Sequence, residues 1–334
     1  MRSIHLASVT PFVGKNVVCL GLALKLMEMG RKVGYFKPFG PLVTEHEGII
    51  TDSDAVFFRK ALGLEDAFED ICPVVVTDEV VADVLRGADF KPRDRIFAAF
   101  RRVSEGKDVV LCVGMGRLSS GLTAEFPASE FVRIVRGKAI MLDRYRYPFE
   151  TLDGILHART VLGDCLAGVV FNRVQETAYS QVTTAVKSFL ESREIDVFGV
   201  LPEDPILGAV PIRDIVHAVG GHVLCGSSEL ERMVEGFNIG AMNVDAAVRY
   251  FRRTPQRAVV TGGDRSDVQL AALESGAKCL ILTGDLYPNE RILTRAEELK
   301  VPVIEVSKDT SATIAACEQL ASQLTLTSDK KIDR

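Results

Sequence analysis

The chain has 334 residues, of which 47% are hydrophobic and 25% charged, with a formal net charge of −5. That is the composition of a globular protein large enough for two domains, and its acidic balance gives no electrostatic case for nucleic-acid binding. Its apolar runs are strand-sized, short of the roughly 20 residues a membrane span needs, and Arg2, Ser3 and His5 break any secretory pattern, so a cytoplasmic location is expected.

From the N-terminus, β-rich runs are predicted at Ser3–Val9, Lys32–Lys37, Asp108–Gly114, Ala139–Asp143, Leu166–Asn172 and Asp196–Leu201. Helical stretches are predicted between them near Lys15–Met29, Asp54–Leu62, Arg93–Glu105, Glu150–Leu162 and Tyr179–Glu191. Strands separated by helix-length connections imply βαβ units, hence an α/β fold with a mostly parallel sheet covered on both faces. Gly30 stands where the first helix needs a C-terminal cap. The prolines of Leu201-Pro202-Glu203-Asp204-Pro205 are expected to interrupt regular structure. They place a boundary between a first domain, residues 1–205, and a second, residues 206–327.

Beyond the boundary, Ile212–Val219 reads as helix, His222–Cys225 as strand, and Gly236–Gly240 as a glycine-punctuated connection. Strands are predicted at Arg257–Thr261, Lys278–Thr283 and Val301–Val306, followed by helices at Ser266–Ser275, Asn289–Leu299 and Thr310–Gln323. Residues 328–334 form a polar tail expected to fray. The seven cysteines are far apart and mostly in apolar segments, which points to buried thiols rather than a Cys/His metal site. None of the five histidines sits in a nucleophile motif, so no catalytic residue is assigned.

The chemistry concentrates between the first strand and the first helix, in Ser8-Val9-Thr10-Pro11-Phe12-Val13-Gly14-Lys15-Asn16. Backbone N–H groups, a helix N-terminus and a lysine at such a turn suit a phosphate, and Ser8, Thr10, Gly14, Lys15 and Asn16 are the candidates to hold it. The pattern departs from a standard phosphate loop twice. Ser8 stands in the place of the opening glycine, and Asn16 replaces the Ser or Thr whose hydroxyl holds magnesium. Arg117, in the polar stretch Gly116–Gly121, is a further candidate anion contact or a solvated loop residue.

This loop resembles the modified Walker motif of dethiobiotin synthetases. Gly34-Tyr35-Phe36-Lys37-Pro38 is similar to that family's strand-end Lys-Pro, Ala167-Gly168-Val169-Val170-Phe171-Asn172-Arg173 to its Gly-Val-Val-x-Asn-Arg strand, and Phe198-Gly199-Val200-Leu201-Pro202 to the strand after it. The resemblance implies a P-loop fold over about residues 1–205, with Asn172 and Arg173 at the base and Lys37 at the substrate. Where those enzymes have a Glu-Gly-Ala-Gly-like turn that helps hold magnesium, this chain reads Val113-Gly114-Met115-Gly116. Asp52 and Asp54 are then the remaining acids for a Mg²⁺ ion near Asn16, unless they only cap the helix they open.

In the second half, Thr261-Gly262-Gly263-Asp264-Arg265-Ser266 and Thr283-Gly284-Asp285-Leu286-Tyr287-Pro288 put two Gly-Asp turns after neighbouring strands. Side by side at the carboxyl edge of a parallel sheet, with a helix capped by Ser266 beyond the first, they would form a second ligand edge. These turns resemble those of the DRTGG domain, which follows a dethiobiotin-synthetase-like region in long bacterial phosphate acetyltransferases. In those enzymes the acetyltransferase domain comes next; here residue 334 is the last.

The combined expectation is a regulatory or assembly protein that binds ATP, ADP or another phosphate-bearing metabolite with weak or no hydrolysis. It would act as a homo-oligomer, a dimer by default, or as partner of a separate acetyltransferase or other metabolic enzyme. The alternative is an ATP- and Mg-dependent ligase or carboxylase of the dethiobiotin synthetase type, using Lys15 and Lys37.

Overall fold

The computed structural model describes residues 2–323 except 9, 11, 12 and 89. Val9, Pro11 and Phe12 of the loop, and the tail 328–334, lie outside the described residues. The chain forms two compact units divided between Glu203 and Asp204.

The first unit is built on six parallel strands: β1 (Arg2–Ser8), β2 (Val33–Phe36), β3 (Val109–Arg117), β4 (Lys138–Asp143), β5 (Leu166–Val174) and β6 (Val197–Pro202). Their order is β6-β5-β4-β1-β3-β2. β2 and most of β5 are buried residue after residue, as expected where helices cover both faces of a sheet. One core gathers Met141, Ile155, Phe171, Val182 and Leu190, and a second gathers Phe36, Ile96, Phe100, Phe126 and Phe131. Each such side chain contributes about 1.5–3 kcal/mol by leaving water. α1 (Lys15–Glu28) follows β1, and Gly30 ends it in the left-handed conformation at φ 74°.

Three features differ from the sequence reading. An antiparallel hairpin, Val43–His46 with Ile49–Asp52, leads into α2 (Ser53–Ala61), turning at Glu47 and Gly48, both with positive φ. β3 runs past its predicted end at Gly114, through the stretch compared with the metal-holding turn, to Arg117, because β1 flanks it as far as Ser8, which pairs with Arg117 across a bulge. The third difference lies at the prolines, which interrupt regular structure as expected but only at Glu203 and Asp204. Pro202 ends β6, an edge strand where a missing N–H is tolerated, and Pro205 opens a single helical turn to Gly208.

The second unit carries β7 (His222–Cys225), β8 (Phe237–Ile239), β9 (Ala258–Gly262), β10 (Cys279–Thr283) and β11 (Val303–Val306) in the order β7-β11-β10-β9-β8. Only β7 runs antiparallel to its neighbour. β8 lies inside the stretch read as a connection, and a helix, Val244–Phe251, follows it. Asn243 caps that helix by accepting a hydrogen bond from Ala246 N at 3.0 Å. Ser266, expected as a cap, is instead the first helical residue of Ser266–Glu274; Arg265 holds the cap position, and its side chain makes no capping bond to the helix backbone.

Candidate functional site

The loop after β1 delivers Lys15 and Asn16 to the start of α1. Gly14 caps this helix in the left-handed conformation at φ 81°, which a side chain would strain. Lys15 Nζ donates to Ser8 Oγ at 3.1 Å, so the serine in the glycine's place gives the lysine a polar contact. Burial lowers the Lys15 pKa to about 8, with the Lys37 charge adding to the effect and Asp54 opposing it. An arriving phosphate would meet a lysine that lacks a full counter-charge.

Two contacts tie the loop to neighbouring strand ends. Asn172, at the end of β5, donates its amide N–H to Val13 O at 2.8 Å. Thr10 Oγ1 donates to Asp143 Oδ2 at 3.1 Å, and the other Asp143 oxygen accepts from Tyr145 N and Thr151 Oγ1. Asn172, expected at the base, thus holds the loop with one N–H; its other N–H and its oxygen are the groups left for a base. Arg173, also expected there, has a left-handed backbone at φ 57° and lies 3.5 Å from Glu203, which Arg144 approaches at 3.8 Å. Neither Thr151 nor Asp143 belongs to a motif that marks it in the sequence; tertiary contacts bring them to the loop.

Lys37, Asp52 and Asp54 form a buried charge cluster in this unit. Lys37 Nζ donates to Asp52 Oδ1 at 2.7 Å and to Asp54 Oδ2 at 2.5 Å, and its side chain is only 3% exposed. Burial opposes the Lys37 charge, but Asp54 and Asp52 outweigh it and raise the pKa, so the ammonium persists. Burial also raises the Asp52 pKa, against the pull of Lys37. Asp52 is the N-cap of α2: its Oδ1 accepts from Asp54 N at 2.9 Å and its Oδ2 from Leu42 N at 2.9 Å. Asn16 Nδ2 donates to Asp54 Oδ1 at 2.8 Å. A carboxylate only accepts, so the asparagine must turn its N–H₂ toward it.

These residues do not fit a magnesium ion, which needs open oxygen ligands in octahedral array. Both oxygens of Asp54 already face N–H donors, both oxygens of Asp52 are bonded in a fully buried position, and a buried valine stands at 113. Gly114, within β3, offers no side chain. A cation on Asp54 would sit close to the Lys37 ammonium, where each pair of unit charges about 4 Å apart costs roughly 4 kcal/mol at an intermediate dielectric. Among the described residues no group of three or more His, Cys, Asp or Glu could hold a metal.

The second unit's edge is arranged differently. Thr261 Oγ1 donates to Gly240 O at 3.1 Å, Thr283 Oγ1 shares a 2.8 Å bond with Thr310 Oγ1, and Gln269 Nε2 donates to Gly262 O at 2.8 Å. Gly263 N donates to Thr283 O at 3.2 Å, bringing the two turns side by side. A Cβ on Gly263 would lie 1.8 Å from Leu286 O, so only glycine fits. Asp264, Gly284 and Asp285 are exposed, and Arg265 bonds Met242 O and Asp267. The buried Glu305 has its pKa raised by burial and by the neighbouring Asp285 carboxylate. The buried polar groups here mainly hold backbone.

Residues 2–211 match the family model described as an AAA domain, and residues 214–320 match the DRTGG domain. The phosphate acetyltransferase of Synechocystis sp. is 25% identical over 99% of this chain and 49% of its own length. The ATP-dependent dethiobiotin synthetase of Bacillus subtilis is 23% identical over 67% of this chain and 95% of its own length. The chain spans about half the length of the phosphate acetyltransferases it matches. A solved CBS and DRTGG regulatory region of a Clostridium perfringens pyrophosphatase, complexed with diadenosine tetraphosphate, gives a TM-score of 0.29 at 16% identity, covering 36% of this chain and 49% of that one. That likeness is too low to bear on fold or ligand. No helix of the described residues is long and apolar enough to cross a membrane.

Proposed function

The chain belongs, over residues 2–211, to the AAA domain family, and on that premise we propose that it is a nucleotide-binding regulatory or assembly protein with weak or no ATP hydrolysis. The supporting observation is the contrast between Lys15 and Lys37. Lys15 stands desolvated beside a tethered backbone loop, whereas Lys37 is closed off between two carboxylates. The first arrangement binds an anion. Phosphoryl transfer also needs charge neutralisation around the transferred group, and Asp52, Asp54 and Asn16 are engaged with one another and with Lys37.

The phosphates would rest on the backbone of residues 13–16 with Lys15, and the base would lie against Asn172 and Arg173. The DRTGG domain would relay occupancy or provide assembly contacts, in a homodimer or with a separate acetyltransferase or other metabolic enzyme. A ligase of the dethiobiotin synthetase type would need Lys37 free to meet substrate, and its ion pairs oppose that. Titration calorimetry with ATP, ADP and cyclic dinucleotides tests the reading. Micromolar binding that weakens in Lys15→Ala is expected, and a folded protein that binds none of them would sink it.

A further inference from the structure

Resting on that nucleotide reading, we propose that the loop binds its nucleotide without a divalent cation, because the buried Lys37 ammonium stands permanently where the acids would otherwise hold one. Lys37 contacts Asp52 and Asp54 at 2.7 and 2.5 Å, and it is a covalent part of the chain that cannot dissociate. Asn16 closes the remaining side of Asp54 with an N–H at 2.8 Å, presenting a donor where a metal needs an oxygen. The buried Val113 supplies no acid from β3. The substitutions at 16 and 113 and the ion pairs of Lys37 therefore act together: oxygen ligands are removed, and those that remain are bonded.

The charge balance sets the class of nucleotide. Lys15 and Lys37 carry two positive charges; Asp52 and Asp54 carry two negative ones. The buried Asp143 on the Thr10 tether adds a further acid close to the loop. With no metal to offset the phosphates, the site suits a nucleotide of low phosphate charge, and metal-free ADP is expected to bind at least as tightly as metal-free ATP.

The test is titration of the full chain with ADP and with ATP, first in EDTA and then in excess magnesium. Binding should be unchanged in magnesium, or weakened several-fold as the metal withdraws free nucleotide. Paramagnetic relaxation by Mn²⁺ should show no protein-enhanced signal in the ADP complex. Asn16→Thr restores a hydroxyl but leaves Lys37 in place, and it should remain insensitive to magnesium. Tightening by magnesium of about threefold or more, in the native protein or in Asn16→Thr, would overturn the inference while leaving nucleotide binding intact. So would ATP binding more tightly than ADP in EDTA. Failure to bind either nucleotide in both buffers would remove the nucleotide reading and this inference with it.

Discussion

In each unit a glycine-bearing turn follows a parallel strand at the carboxyl edge, yet the two units use buried polar groups in opposite ways. In the first, tethers from Asn172 and Asp143 hold a loop whose lysine lacks a full counter-charge, while Lys37 is ion-paired to both Asp52 and Asp54. In the second, Thr261, Thr283 and Gln269 bond to backbone carbonyls, and Thr283 also to Thr310, leaving Asp264 and Asp285 at the surface. A glycine turn at a strand end is thus no more than an opportunity. The charge left uncompensated beside it determines whether it attracts an anion.

Substitutions can break this comparison at several points. Lys37→Ala should have the largest effect, because it leaves two acids facing each other, one fully buried. A loss of about 3–5 kcal/mol in urea unfolding is expected; a loss below 1 kcal/mol would mean that the ion pairs are not what holds this edge. Gly263→Ala should lower stability by about 3 kcal/mol, since its Cβ would overlap Leu286 O. The drop should appear in the second unit's unfolding transition and leave nucleotide affinity unchanged.

Lys15→Ala should weaken nucleotide binding roughly 10- to 100-fold, the value of a charge-assisted hydrogen bond, without lowering stability. Its depressed pKa carries a sign that can be checked. The folded state gives up the Lys15 proton near pH 8, whereas the unfolded chain keeps it to about 10.5. Over that window the unfolded state holds more protons, so the Lys15 contribution to stability rises with pH, and Lys15→Ala should abolish that part of the rise. Nucleotide binding above pH 8 should likewise take up a proton, measurable by calorimetry in buffers of different ionisation enthalpy. The smallest effect is expected at the exposed Asp264: replacement by alanine should change stability by no more than about 0.5 kcal/mol.

The strands and most helices were legible because β-rich runs and amphipathic segments alternate with glycine punctuation, and Lys15 was legible from its place between β1 and α1. The hairpin before α2 was not read, because its strands are four residues long and largely half-exposed, and its turn is Glu47-Gly48 rather than Asn-Gly. Asp52 and Asp54 were named both as metal ligands and as helix caps; the cap proved structural for Asp52. What settled the cluster, Lys37 reaching both acids and Asn16 reaching Asp54 from 38 residues away, is tertiary geometry without periodicity in the chain. Asn172 stands out through its motif, but its bond to Val13 O could not be foreseen from residue type.

Hydrogen exchange at individual amides, with and without saturating ADP, tests most directly whether the first unit's loop is the nucleotide site. Slower exchange is expected at residues 13–18 and 172–174, with little change at 261–265 and 283–286. Protection confined to the second unit's turns, with residues 13–18 unaffected, would contradict it.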